Sequence, residues 1–142
     1  MAKITSFLKT LWRKRDGSEV VEFALVAPFV VLLTVGIIDF GRVMWTATTI
    51  EHVAREAARY ASVHGEGSIT VASETSVANF AAGRATGLDQ AELNVVVTYE
   101  GNSNISGNTV TVEVDYDFVL ILGGLLGFDP VALESSSTFT II

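Results

Sequence analysis

One acidic side chain lies at the edge of the longest apolar run in this sequence. Glu22 directly precedes residues 23–38, FALVAPFVVLLTVGII, which contain no charged residue. A carboxylate held inside the edge of a bilayer costs on the order of 2–3 kcal/mol, so an unpaired Glu22 would destabilise the inserted helix. We therefore expect Glu22 either to find a cationic partner or to lie in the headgroup zone at the membrane surface.

Two other groups of polar residues have spacings that metal sites can use. His52 and Glu56 lie four residues apart on a predicted helix, but no third ligand is placed beside them, which favours a solvated helix face. Glu113, Asp115 and Asp117 alternate along a predicted strand and favour a plain exposed face, because calcium ligands usually come from a tight loop. We predict no metal site and no cofactor.

No motif assembles the groups that catalysis needs. The chain has no cysteine, and its two histidines lie in no recognisable triad or metal motif. The glycines of residues 120–128, LILGGLLGF, lack the Lys-Ser/Thr of a phosphate-binding loop. We therefore predict that the chain is not an enzyme. The same segment is unusually apolar for a loop: it can be buried beneath the sheet, dip toward lipid or contact a neighbouring subunit.

Charge is distributed very unevenly along the chain. Residues 1–17 contain five of the nine Lys and Arg side chains and a single Asp, whereas the remaining residues contain four Arg against 15 acids. The acidic part would repel phosphate, which argues against nucleic acid as a partner. The basic end lies just before the apolar run, so the positive-inside rule predicts a cytoplasmic N-terminus and an external C-terminal part.

The apolar run is long enough to cross a membrane. As a helix, residues 20–38 cover roughly 28 Å. The remaining chain is too small to surround such a helix, which argues against a buried core helix. The small-x-small site that follows a secretory signal is missing, because the run ends in Asp39-Phe40-Gly41-Arg42. We predict a single-pass inner-membrane protein that spans the bilayer over about residues 20–39.

The helical pattern continues beyond the span and is followed by a small head. One helical face collects apolar residues at spacings of three and four: Phe40, Val43, Met44, Ala47, Ile50, Ala54, Ala57, Ala58 and Ala61. We predict one helix over residues 18–62 and an α+β head over residues 63–142. In the head, the patterns predict a second short helix (70–85) and about three antiparallel strands (92–99, 110–118 and 132–142).

The segment around Glu22 resembles the recognition region of type IV pilin-like proteins. Residues 14–25, KRDGSEVVEFAL, have its basic leader, a glycine, four residues, and a glutamate that opens an apolar helix. The Glu22-Phe23 pair looks like the version in the Tad (Flp) pilus system. The likeness continues through VEFALVAPFVVLLTVGIIDFGRVMW and EHVAREAARYAS, which are similar to the signature of TadE-like minor pilins. There a D/E-F-G-R turn follows the span, and a glycine often stands where this chain has Ala57.

That resemblance implies a function in pilus assembly. A prepilin peptidase would cut between Gly17 and Ser18 and remove the basic leader, residues 1–17. The new α-amino group of Ser18 would pair with Glu22 of the same or a neighbouring subunit, and Phe23 would complete the recognition motif. The chain would then be a minor subunit of a Tad/Flp-type adhesion pilus with a pilin-like helix, and its partners would be other pilins, assembly-platform proteins and the lipid bilayer. The alternative is a single-span binding or sensor module that keeps its N-terminus.

Overall fold

The computed structural model describes the backbone of residues 15–142 and the side chains from residue 17 onward. All but the last three residues of the predicted leader therefore lie outside the described residues. The elements, in chain order, are α1 (Arg15–Val63), α2 (Glu74–Arg84), β1 (Leu93–Tyr99), β2 (Thr109–Phe118), α3 (Ile121–Leu126) and β3 (Val131–Thr140). The predicted α+β fold is confirmed: a long apolar helix, a short second helix and a three-stranded antiparallel sheet.

The chain divides into two compact units between Ile38 and Asp39, and helix α1 contributes residues to both. In the first unit its large apolar side chains are exposed on all sides, from 41% at Leu32 to 72% at Phe23. None of the apolar window is buried within the protein, so the alternative of a buried core helix is wrong. Within residues 15–142, α1 is the one helix long and apolar enough to cross a membrane.

Helix α1 also continues without a break through residues 39–42. The continuous helix predicted over residues 18–62 is therefore confirmed through this segment, where the similar proteins are described as having a turn. A single glycine costs a helix interior only about 1 kcal/mol, so Gly41 does not by itself end α1. Residues 15–18 all lie within α1, so no helix break marks the start of the predicted mature chain at Ser18. The division into leader, helix and head stays a prediction.

The core of the second unit lies between the helices and one face of the sheet. Its side chains from α1 are mainly alanines, which let neighbouring elements approach the helix closely. The core residues with no exposed surface are Ala54, Ala57, Ala58, Ala61, Val77, Ala81, Val110, Val112 and Val114. Phe40 and Met44 were predicted on the same face of α1, but they are 68% and 50% exposed and do not join this core.

The sheet has the order β1-β2-β3, with both pairs antiparallel. Val112 in the central strand lies opposite Val97 of β1 and Ser137 of β3. The alternation predicted for residues 110–118 is observed: the valines of β2 face the helices, whereas Glu113 is exposed on the other face. One side of the sheet therefore closes the core and the other is polar.

Two local elements differ from the sequence prediction. Helix α2 begins at Glu74 rather than residue 70, because Ser73 caps it: the Ser73 hydroxyl accepts a hydrogen bond from Ser76 N and the Ser76 hydroxyl accepts one from Ser73 N. The apolar segment after β2, predicted as a loop, contains the six-residue helix α3. Gly127 ends it in the left-handed conformation (φ 77°), which glycine adopts without steric cost.

Candidate functional site

The predicted cleavage and recognition residues all lie on the first turns of α1. Ser18, Glu22 and Phe23 are exposed, and Gly17 is half-buried. Ser18 and Glu22 are four residues apart, which brings side chains onto the same face of a helix about one turn apart. The structure therefore puts Glu22 one turn from the amino group that cleavage after Gly17 would create.

Cleavage after Gly17 would also change the electrostatics of this helix end. A helix N-terminus carries a partial positive charge, which carboxylates in the first turn stabilise. With Ser18 as the first residue, Glu19 and Glu22 would lie in that turn, beside an α-amino group with a pKa of about 8. The new terminus would then combine a cation and two carboxylates at the start of an apolar helix.

A second polar site begins at Asp39, the first residue after the uncharged run. Its side chain is almost completely buried, at 3% exposure. The carboxylate accepts hydrogen bonds from the backbone N–H groups of Ile121 (3.0 Å) and Leu122 (2.9 Å), at the start of α3. Leu120, the residue before α3, offers no side-chain cap. Asp39 therefore supplies, from 82 residues away, the acceptor that normally comes from a capping residue.

Arg42 completes the Asp39 site. Its guanidinium donates a hydrogen bond to the Asp39 carboxylate at 3.0 Å and lies 4.8 Å from the centre of the Phe118 ring. One charged pair thus joins α1, the end of β2 and the start of α3. This role of Asp39 and Arg42 was not predicted from the sequence, although an acid at the end of a membrane span with an Arg three residues later was an available signal for a local ion pair.

The segment held by Asp39 is not buried beneath the sheet. Within residues 119–128 only Gly123 is buried. Five large apolar side chains are more than half exposed: Val119 (54%), Ile121 (52%), Leu125 (74%), Leu126 (55%) and Phe128 (63%). We call these five side chains the apolar surface. Of the three placements that the sequence left open, burial under the sheet is excluded.

The His52–Glu56 pair belongs to a structural ion-pair network. Glu56 lies 3.3 Å from His52 Nε2 and 3.1 Å from the Arg84 guanidinium, so it joins α1 to α2. The Arg84 guanidinium also lies 4.9 Å from the centre of the Phe80 ring. Glu56 therefore contributes to packing between the two helices.

The acidic side chains of β2 do not converge on a common point. Glu113 and Asp117 are exposed, and Asp115 accepts a hydrogen bond from the Asn94 side chain on β1 at 3.2 Å. Within residues 15–142, no group of three or more His, Cys, Asp or Glu side chains could hold a metal ion.

One comparison with known proteins gives a match, and it covers the part of α1 that contains the predicted cleavage residues, Asp39 and Arg42. No curated protein and no solved structure matches the chain significantly. Residues 17–59 match the family model described as TadE-like protein, so the predicted resemblance is confirmed and the chain is similar to TadE-like proteins over this segment.

Proposed function

We propose that this chain is a minor pilin-like subunit that a prepilin peptidase processes and that takes part in assembling a Tad/Flp-type adhesion pilus. The observation that carries the proposal is the extent of the family match. It begins at Gly17, the last residue of the predicted leader, and runs through the apolar span to Arg59. That match supports a function in a Tad pilus-related system, and peptidase processing and the minor-pilin role are our inference. In this proposal the chain is not an enzyme.

The apolar first unit supports the structural part of the proposal. Its exposed side chains need a hydrocarbon environment or the corresponding helices of other subunits. The one hydroxyl in the uncharged run, on Thr34, donates to the carbonyl of Val30 at 2.8 Å and so has a partner within the helix. Before cleavage, such a helix can remain in the bilayer with the basic leader on the cytoplasmic side. After cleavage, it can pack among the helices of other pilins.

Glu22 is the group that we expect to align subunits. Its carboxylate is exposed on an otherwise apolar surface. In a low-dielectric environment it needs a cation, and the Ser18 α-amino group of a neighbouring subunit would provide one. Because that amino group exists only after cleavage, processing would control when subunits can pair.

The test is to measure the mass of the mature N-terminus in cells with and without the prepilin peptidase. We expect the chain to begin at Ser18 only when the peptidase is present. A Gly17→Ile variant should accumulate as the precursor, whereas Ser18→Ala, which keeps a small residue, should still be cut. An intact N-terminus in cells with an active peptidase would contradict the proposal and favour the uncleaved single-span binding module.

A further inference from the structure

The apolar surface around α3 is unusual because it is exposed beside the buried carboxylate of Asp39. From Val119 to Phe128 no residue is charged, and acids flank the segment at Asp117 and Asp129. Scattered exposed apolar residues are normal, but five large side chains within ten residues mark an interaction surface. The question is which partner covers it.

We propose that the apolar surface inserts into the outer edge of the bilayer, among the first methylenes of the lipid acyl chains. The inference rests on the membrane anchoring in the proposed function. Asp39 directly follows the uncharged span, and its hydrogen bonds to Ile121 and Leu122 hold the start of α3 beside that residue. The apolar surface therefore begins beside the first residue after the uncharged span.

Hydrogen bonding within the segment fits an apolar environment. Lipid offers no partners for backbone groups, so an inserted segment must satisfy them internally. The Asp39 carboxylate accepts hydrogen bonds from the first two N–H groups of α3. The carbonyl of Gly123 accepts hydrogen bonds from the N–H groups of Gly127 (2.7 Å) and Phe128 (3.0 Å). The first two N–H groups of α3 and the two that follow its last turn therefore have acceptors within the protein.

A second protein subunit fits this surface less well. A stable protein interface buries about 800 Å² on each partner. Helix α3 is only about 9 Å long and presents a few side chains, so by itself it cannot supply that area. A shallow position at the headgroup boundary, about 5–10 Å deep, is what a short apolar helix beside a span can reach.

The absence of cysteine in the whole chain allows a direct depth measurement. Single cysteines at Leu125, Leu33 and Ile69 would each carry a nitroxide label in the full chain, reconstituted in vesicles of phosphatidylethanolamine and phosphatidylglycerol. Leu33 lies in the apolar run and reports the span. Ile69 is the matched control, because its side chain is also apolar and fully exposed. It follows the end of α1, and that end lies roughly 36 Å along the helix from Asp39.

We expect the label at Leu125 to collide with dissolved oxygen and to be shielded from a polar nickel chelate. Its oxygen-to-nickel collision ratio should exceed that at Ile69 by on the order of tenfold, because a polar chelate is excluded from hydrocarbon. High nickel access at Leu125, with Leu33 in lipid, would overturn this inference and leave the span intact. Low access to both reagents would also overturn it, because it would mean that protein covers the surface.

Discussion

The carboxylate of Asp39 accepts a hydrogen bond from the backbone N–H of Leu122, 2.9 Å away and 83 residues later in the chain. This contact fixes the start of α3 to α1. Asp39 also pairs with Arg42, so the buried carboxylate has both neutral and charged partners. The start of α3 is therefore held to the first residue after the apolar run by the Asp39 side chain.

Replacing Asp39 with Ala should destabilise the head by about 2–4 kcal/mol. The change leaves two backbone N–H groups without an acceptor, whereas the exposed Arg42 guanidinium that loses its counter-ion can be solvated by water. Asp39→Asn should cost less, because an amide oxygen can still accept one of the two hydrogen bonds. Urea unfolding of the full chain in detergent micelles, followed by the near-ultraviolet circular dichroism of its tyrosines, would measure both changes.

The control for Asp39 is Glu113→Ala, which removes an exposed carboxylate from the outer face of β2. Its effect should stay within about 0.5 kcal/mol, as is usual for surface positions. Equal stabilities of the Asp39→Ala and Glu113→Ala variants would show that the α3 cap contributes nothing to the head.

The general architecture was predictable because it depends on local patterns. Uncharged residues over 23–38 identify the span, and the alternation of Val110, Val112 and Val114 identifies the central strand, without any tertiary information. The apolar face predicted for α1 is buried in the core at Ile50 but exposed at Phe40. Periodicity gives the side of the helix on which a residue lies, but it does not tell where along the helix the packed core begins.

The Asp39 site could not be predicted in the same way. Its partners lie in a segment that looked like a loop, and the pairing depends on how β2 and α1 pack. The local motif gave Asp39 and Arg42, three residues apart, but nothing in the sequence between Asp39 and Ile121 indicates that these two residues are in contact. In contrast, Gly17, Ser18 and Glu22 belong to a contiguous motif and could be named from sequence.

Ala57 should tolerate glycine much better than a larger residue. It is completely buried in the alanine-rich face of α1. Ala57→Gly should cost about 1 kcal/mol through helix propensity. Ala57→Leu must push neighbouring elements apart and should cost about 1–3 kcal/mol or more. Urea midpoints of the two variants would rank them, and a more stable Leu variant would contradict the close packing.

The turn after α1 offers a matched pair of glycines. A Cβ atom at Gly65 would lie 2.5 Å from the Cγ2 atom of Ile141, whereas a Cβ at Gly67 would have no atom within 4 Å. Ile141 is 1% exposed and is held in place next to Ile142, whose N–H donates to the carbonyl of Ser62 at 3.0 Å. Gly65→Ala should therefore destabilise the head by about 1–3 kcal/mol through overpacking.

Gly67→Ala should be neutral or slightly stabilising, because alanine restricts the unfolded chain without a clash in the folded one. Differential scanning calorimetry of both variants in the same detergent would separate them. The packing at Ile141 would be refuted by a melting temperature for Gly65→Ala equal to or above that of Gly67→Ala.

Glu22→Gln should block assembly while leaving cleavage largely intact. Glutamine keeps the size and hydrogen-bonding capacity of the side chain but cannot neutralise the Ser18 α-amino group of a neighbouring subunit. We expect the mature N-terminus to appear at Ser18 as before, and the amount of this subunit in sheared pilus fractions to fall by about tenfold, equivalent to 1.4 kcal/mol of lost pairing.

Glu19→Gln is the matched control, because Glu19 is an exposed acid on the same helix turn but does not lie one turn after Ser18. If both variants assemble as well as the unmodified chain, Glu22 lies in the headgroup zone and does not pair subunits. If both fail equally, the total negative charge of the helix start matters and not the position of one carboxylate. Only a selective loss with Glu22→Gln fits a pairing that depends on the i, i+4 geometry of Ser18 and Glu22.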